Sequence, residues 1–288
     1  MSFPTSFPSQ HQSQHPGLEH MMNPLPVYDD DQYVGKGTLL QDKVALITGG
    51  DSGIGRAVAL AFAKQGAHVC IVYLNESEDA NTIKTQIEAL GRQCFLIETD
   101  ITDKANCERA ISQTINHFNK LDILVNNAAV QYTTQKFELI SDAQFDKTFK
   151  TNVYGAFYMT KAALPHLKQG SSIINTTSVV AFHGNETLID YSMTKGALVA
   201  LTRSLAMSLA KSKSGIRVNA VAPGPIWTPF IPSSMDATQV TSFGSNTPLG
   251  RAGQPIECAG AYVFLASDAA SYITGQTIHV NGGEIVNA

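Results

Sequence analysis

Cysteine is sparse and badly placed for chemistry in this 288-residue chain. Cys70, Cys94, Cys107 and Cys258 are scattered, with no CxxC and no histidine at ligand spacing. The pattern points to reduced, mostly buried thiols in a cytoplasmic protein, with neither zinc nor disulfides, and no metal is expected. No uninterrupted apolar run is long enough to cross a bilayer, so no membrane partner is expected. No Lys or Arg precedes Lys36 and no apolar core follows the initiator, which argues against a secretory or mitochondrial leader. Basic runs are missing as well. Up to Asp42 five acids (Glu19, Asp29, Asp30, Asp31 and Asp42) face Lys36 alone, leaving −4, the net charge of the whole chain. Residues 43–288 therefore balance to zero, and nothing in the charge favours a nucleic-acid partner.

What is present divides into two parts. Residues 1–42, opening "MSFPTSFPSQHQSQHPG", are rich in Pro, Ser and Gln without an apolar period. They are expected to form an N-terminal extended arm, partly disordered or docked on a neighbouring subunit, because they have too little apolar content to fold alone. His11, His15 and His20 raise the question of metal, but an extended arm accounts for them better. From Lys43 short apolar runs without alternation recur at 43–48, 67–73, 94–99, 122–126, 172–177, 217–222 and 277–280. Runs of this kind mark strands buried on both faces. Helical segments lie between them, one ending at Gly66, one beginning near Ser141, and one ending near Gly215. The alternation predicts α/β architecture: a single doubly wound Rossmann-type domain over 43–288, with about seven parallel strands flanked by helices.

"TGGDSGIG" (48–55) joins the first strand to the first helix, with Gly49, Gly53 and Gly55 spaced G-x3-G-x-G. Glycine there permits a tight turn and lets backbone approach a pyrophosphate at a helix N-terminus. A second feature is "YSMTK" (191–195), opening an apolar helical run. Residues four apart share a helix face, so the Tyr191 phenol and the Lys195 ammonium point the same way.

With "NNAA" (126–129), "KTNVYGAF" (150–157), "IINTTS" (173–178) and "AVAPGPIWTP" (220–229), these motifs resemble the short-chain dehydrogenase/reductase family. Ala129 replaces the last glycine of that family's N-N-A-G. The resemblance covers roughly 43–288, and the whole sequence is similar to a bacterial general-stress subgroup. It implies Asn152, Ser178, Tyr191 and Lys195 as the catalytic set. In that set Tyr191 is general acid/base, Ser178 holds the substrate oxygen, and Asn152 positions a water that passes protons to Lys195. A free phenol has a pKa of about 10, which a nearby ammonium lowers. For the cofactor it implies contacts from Gly49, Asp51, Ser52, Gly53, Ile54 and Gly55 in the turn. Further contacts are Tyr73, Leu74 and Asn75 after the second strand, and Asp100 and Ile101 after the third. Asn127, Ala128 and Ala129 follow the fourth; Pro223, Gly224, Ile226 and Thr228 follow the sixth, alongside Tyr191 and Lys195.

The expected function is hydride transfer between NAD or NADP and a small carbonyl or alcohol substrate. A catalytically silent dinucleotide-sensing or scaffold protein is the alternative. The position where NAD-users carry an acid falls on Tyr73, and Ser52 stands where many NADP-users carry a base. With no cation in either place the lean is to NAD. Family members with this layout are commonly tetramers, so a homotetramer is expected. Trp227, Phe230, Ile231 and Phe243 are candidates to line an apolar substrate pocket, with His183 or Gln131 adding a polar contact.

Overall fold

Helices cover both faces of a parallel sheet, which is why its strands show no alternation of apolar and polar residues. A computed structural model describes residues 3–285. The strands are β1 (Val44–Thr48), β2 (His68–Tyr73), β3 (Cys94–Glu98), β4 (Ile123–Asn126), β5 (Ser172–Thr176), β6 (Arg217–Pro223) and β7 (Thr277–Val280). All residues of β1, β4, β5 and β6 are buried. They form one seven-stranded sheet in the order β3-β2-β1-β4-β5-β6-β7, every neighbouring pair parallel. In register, Leu46 of β1 stands between Cys70 of β2 and Leu124 of β4.

The helices are α1 (Gly53–Lys64), α2 (Ser77–Ala89), α3 (Lys104–Phe118), α4 (Asp142–Phe149), α5 (Ala156–Ala163) and the short α6 (Val180–His183). They continue with α7 (Ile189–Lys211), the short α8 (Ala237–Val240) and α9 (Pro255–Ala266). One core layer joins α1 and α9 to the sheet through residues such as Ile47, Phe62, Tyr262 and Leu265. The opposite layer joins α3, α5 and α7 through Leu46, Ile111, Met159 and Ala206.

Two boundaries differ from the sequence expectation. The Ser141 hydroxyl does cap a helix, accepting from the Gln144 N–H at 3.2 Å. The continuous helix expected there is interrupted by a π-helical turn over Lys150–Gly155. At its end Gly155 leaves room for Ile101, whose Cδ1 lies 2.7 Å from where a Cβ would stand. The helix carrying Tyr191 stops at Lys211, before Gly215, because Lys213 turns left-handed with φ +57°.

Residues 3–42 lie against the body of their own chain. Phe7 stacks on Trp227 with ring centroids 3.8 Å apart, and the Trp227 Nε1–H donates to Pro24 O at 2.9 Å. Further on, Val27 N–H donates to Gln254 Oε1 at 2.8 Å, Lys64 pairs with Asp29 and Asp31, and Leu40 is fully buried. The three histidines of the arm make separate contacts. His11 meets Met235 O at 3.0 Å, His15 meets Ser233 Oγ at 2.8 Å, and His20 lies 3.9 Å from Glu78 and Asp79.

Candidate active site

The strand order reverses between β1 and β4, and in open α/β sheets a crevice forms at the carboxyl ends of such a pair. The glycine turn leaves β1 there and Asn126–Ala129 leaves β4. Gly49 has φ +61° and Gly53 φ +52°, values that side-chain-bearing residues rarely adopt. A Cβ on Gly55 would lie 1.8 Å from Gly49 O, so α1 packs onto the turn only because Gly55 has none. Asn127 pins the turn from the other side, its Nδ2 donating to Thr48 O at 3.1 Å and Gly49 O at 3.0 Å. Thr176 Oγ1 donates to Asn127 Oδ1 at 3.2 Å, which ties β5 into the same arrangement. Asn127 thus shapes the crevice through backbone contacts.

The i, i+4 geometry expected of Tyr191 and Lys195 is present on α7. The ammonium nitrogen lies 5.4 Å from the Tyr191 ring centroid and donates to Thr176 O at 2.8 Å. Lys195 is fully enclosed, and burial lowers its pKa to about 7. Burial also pushes the Tyr191 phenol above its usual range, while a hydrogen bond with Ser178 works in the opposite direction. Asn152 sits in the π-helical turn with its amide engaged on both sides. Its Oδ1 accepts from Val130 N–H at 2.8 Å, and its Nδ2 donates to Val130 O at 2.9 Å and Thr194 Oγ1 at 3.0 Å. Thr194 directly precedes Lys195, so Asn152 braces the loop after β4 against α7.

Two cavities meet at this point. The first, about 390 Å³, runs along the sheet's carboxyl edge. Gly49 and Asp51 to Ile54 line it from the turn, Tyr73 and Leu74 from the end of β2 and just beyond it, and Asp100 and Ile101 from the segment after β3. Asn127 to Ala129, Tyr191, Lys195 and Thr228 close the other side. The second, about 480 Å³, is lined by Ser178, Pro223, Gly224 and Ile226 and by the segment after Thr228. Ile54, Thr176, Tyr191, Thr228 and Phe230 border both. Gly55, Asn75 and Asn152 line neither, Gly55 and Asn152 acting from behind the walls. Of the residues expected around the substrate, Phe230, Ile231, Phe243, His183 and Gln131 line the second cavity. Trp227 does not: it is fully buried beneath Phe7 of the arm, a partner its own neighbourhood in the sequence does not announce.

Glu76, absent from the sequence expectation, lines the first cavity beside Asp51. Its Oε2 accepts from Asn75 N–H at 3.1 Å, and its Oε1 is buried without a partner among the described residues. Burial, reinforced by the Glu76 charge, raises the Asp51 carboxyl to about 7. The residue lies three positions beyond Tyr73, outside the place where strand-end counting looks for an acid. The glycine cradle, the elongated cleft and an enclosed lysine beside its wall fit a nicotinamide dinucleotide, which Gly49 and Asp51 to Ile54 would hold at one part and Tyr191, Lys195 and Thr228 at another.

Comparison with known proteins agrees with this geometry. The family profile described as enoyl-(acyl carrier protein) reductase matches residues 49–284. General stress protein 39 of Bacillus subtilis is 53% identical over 99% of both chains. The chloroplastic NADPH-dependent aldehyde reductase 1 of Arabidopsis thaliana is 48% identical over 97% of this chain and 99% of its own. The glucose and ribitol dehydrogenase of Daucus carota is 47% identical over 98% of each. Among solved structures, a Burkholderia cenocepacia short-chain dehydrogenase in complex with NADP superposes with a TM-score of 0.80 at 32% identity, covering 85% of this chain and 99% of that one. The 3-ketoacyl-(acyl-carrier-protein) reductase of Brucella melitensis, complexed with NADH, gives 0.78 at 36%, covering 86% and 100%. A family profile matching residues 49–284, full-length identity near one half and TM-scores of 0.78 to 0.80 lead to one conclusion: the chain belongs to the short-chain dehydrogenase/reductase family and is an NAD(P)-dependent oxidoreductase.

Proposed function

We propose that this enzyme interconverts small, hydroxyl-bearing aldehydes or ketones and their alcohols, with Tyr191 as general acid/base. The observation that carries this is the position of Tyr191 on the border of the two cavities, with Lys195 enclosed beneath it. When bound in the first cavity, the nicotinamide supplies or accepts the hydride. On the protein side, Ser178 holds the substrate oxygen and shares a hydrogen bond with the phenol that gives it a proton. In its charged form Lys195 favours the phenolate left behind, and a pKa near 7 keeps both its states accessible at neutral pH. Asn152 is a positioning residue, holding Thr194 and Val130 so that Lys195 keeps its place.

The second cavity mixes Phe230 and Phe243 with Ser178, Gln131, Asn185 and Asn246, a lining that suits a short carbon chain carrying hydroxyls. The carrot and Arabidopsis relatives, named for glucose, ribitol and aldehydes, support the same class. For the cofactor, Asp51 and Glu76 on the wall of the first cavity favour NAD over a 2′-phosphate, extending the lean drawn from Tyr73 and Ser52. A panel of aldehydes, ketones and polyols, followed by absorbance of the reduced cofactor, is expected to find turnover. A kcat/KM ratio favouring NADP by about tenfold, roughly 1.4 kcal/mol, would overturn the NAD assignment.

A homotetramer is the assembly that best accounts for Tyr154 and Phe157 exposed near the π-helical turn, and Met193 and Met207 exposed on α7. Light scattering showing a monomer at micromolar concentration would contradict it. Four free, buried thiols, Cys70 and Cys94 among them with pKa values pushed up to about 12, support a cytoplasmic setting.

A further inference from the structure

The arm reaches the first cavity from outside the catalytic fold. Glu19 is 2% exposed and does not line the cavity; it lies behind the glycine turn. Its Oε2 accepts the Gly53 N–H at 2.6 Å and its Oε1 accepts from Arg56 Nη1 at 2.6 Å. The same guanidinium donates through Nε to Asp51 O at 2.7 Å and through Nη2 to Asp79 Oδ1 at 2.9 Å. One carboxylate from the arm therefore grips the turn twice, at Gly53 directly and at Asp51 through Arg56. Two residues earlier, Gly17 passes so close to the segment after β6 that a Cβ would stand 2.5 Å from Pro229 O. Pro16 and His15 continue along the cavity rim, where the His15 ring lies 5.5 Å from those of Tyr132 and Phe230.

We infer that the arm is a working part of the cofactor site, and that Glu19 is a positioning residue for the glycine turn. The reason is energetic. Backbone N–H groups bind an anion well only when they are already aimed, and a turn rich in glycine pays the largest entropy to hold one conformation. A buried carboxylate bonded to Gly53 and Arg56 supplies that restraint before any ligand arrives. Leaving Arg56 with Asp79 alone would loosen both ends of the turn, because a buried charge pair that loses a partner reorganises its surroundings. An independent observation points the same way. The curated relatives align over 97–99% of this chain, arm included, whereas the solved structures cover 85–86%, the share that residues 43–288 make up. The full-length relatives thus match this chain over the arm as well as over the body.

This inference rests on the first cavity being the dinucleotide site, and the experiment separates the two. Dissociation constants for NADH and NADPH are measured by cofactor fluorescence and by calorimetry on the full-length wild type, Glu19→Gln and Glu19→Ala. The emission of Trp227, the single tryptophan, reports whether the arm stays docked, since its indole stacks on Phe7. Glu19→Ala is expected to weaken cofactor binding by about tenfold, roughly 1.4 kcal/mol. Glu19→Gln, which keeps an acceptor for the Gly53 N–H, should weaken it by less, with kcat at saturating cofactor near that of the wild type. The control is Asp29→Asn with Asp31→Asn, which strips Lys64 of its partners on the same arm, away from the cavity. It should lower the melting temperature and leave cofactor affinity unchanged. Wild-type affinity in both Glu19 variants, tighter binding in either, or equal weakening in the control overturns the inference. If Glu19→Ala does not fold, Glu19→Gln decides by the same criteria. A wild type that binds neither cofactor overturns the dinucleotide site itself.

Discussion

Residues 43–285 and residues 3–42 are packed into one molecule by different physics. In the body, strands and helices satisfy their own backbone groups and bury continuous apolar layers on both faces of the sheet. In the arm more bonds run to the body than within the arm itself, as at Gln12 N–H to Pro232 O (2.7 Å), Glu19 to Arg56, and Leu40 N–H to Gln65 O (2.9 Å). Of its apolar anchors, Phe7 and Met22 fill a separate small cluster with Trp227, Ile231 and Val240, while Val34 and Leu40 join the layer of α1 and α9. A segment held by many long-range contacts and no internal layer can detach without unfolding what it rests on.

The largest test of that division lies in the body. Tyr191→Phe removes one hydroxyl from a buried ring, so folding and cofactor binding should survive while kcat falls by roughly 10²-fold or more. Near wild-type turnover would end the assignment of Tyr191 as proton donor.

The next test is aimed at the arm. Truncating a buried Phe in a core costs about 3–5 kcal/mol, but Phe7→Ala can lose no more global stability than the docking of the arm contributes. Trp227 emission should therefore shift well below the temperature at which circular dichroism reports loss of the sheet. Coincident transitions in that variant would show that arm and body form one cooperative unit.

Glu76→Gln sharpens the comparison within the body. Removing its charge should move the NAD-to-NADP ratio of kcat/KM towards NADP by up to about tenfold, whereas Ser52→Ala, which changes no charge, should move it less. No change in Glu76→Gln would detach that carboxylate from cofactor choice.

The smallest expected effect concerns Asp51 and pH. Its carboxyl is raised to about 7 in the folded chain by burial and by Glu76. The fold therefore binds a proton that the unfolded chain releases near pH 4. Its stabilising contribution is present below that pH and is lost as pH rises through about 7. Asp51→Asn cannot ionise, so its melting temperature should gain on the wild type as pH rises from about 5 to about 7 and level off above that. Parallel curves would mean that Asp51 is charged in both states.

Much of the body was legible beforehand because its signals are local. A strand covered on both faces needs a short unbroken apolar run, and seven such runs were visible. The helix-surface pairing of Tyr191 with Lys195 follows from 3.6 residues per turn, and the glycine spacing follows from the turn it must make. What escaped is equally specific. Glu76 was missed because its carboxylate enters the cavity from beyond the strand end, where counting along β2 does not reach. Trp227 read as a pocket residue because an aromatic after β6 faces either the cavity or the protein, and only Phe7 decides which. The π-helical turn at Asn152 has no composition mark of its own, and it shows only when Gly155 meets Ile101.

The sequence by itself determined the sheet, the crevice at its carboxyl edge and the placing of Tyr191 and Lys195 on one helix face. Each of these depends on periodicity or on spacing within a few turns of chain. Only the tertiary structure decided where the arm lies, which aromatics face the substrate, and that Glu19 reaches the turn at Gly53, 34 residues away. Those outcomes depend on contacts between segments that carry no common period. A buried carboxylate takes its role from whichever donors the fold brings within hydrogen-bonding reach, and for Glu19 those donors belong to α1.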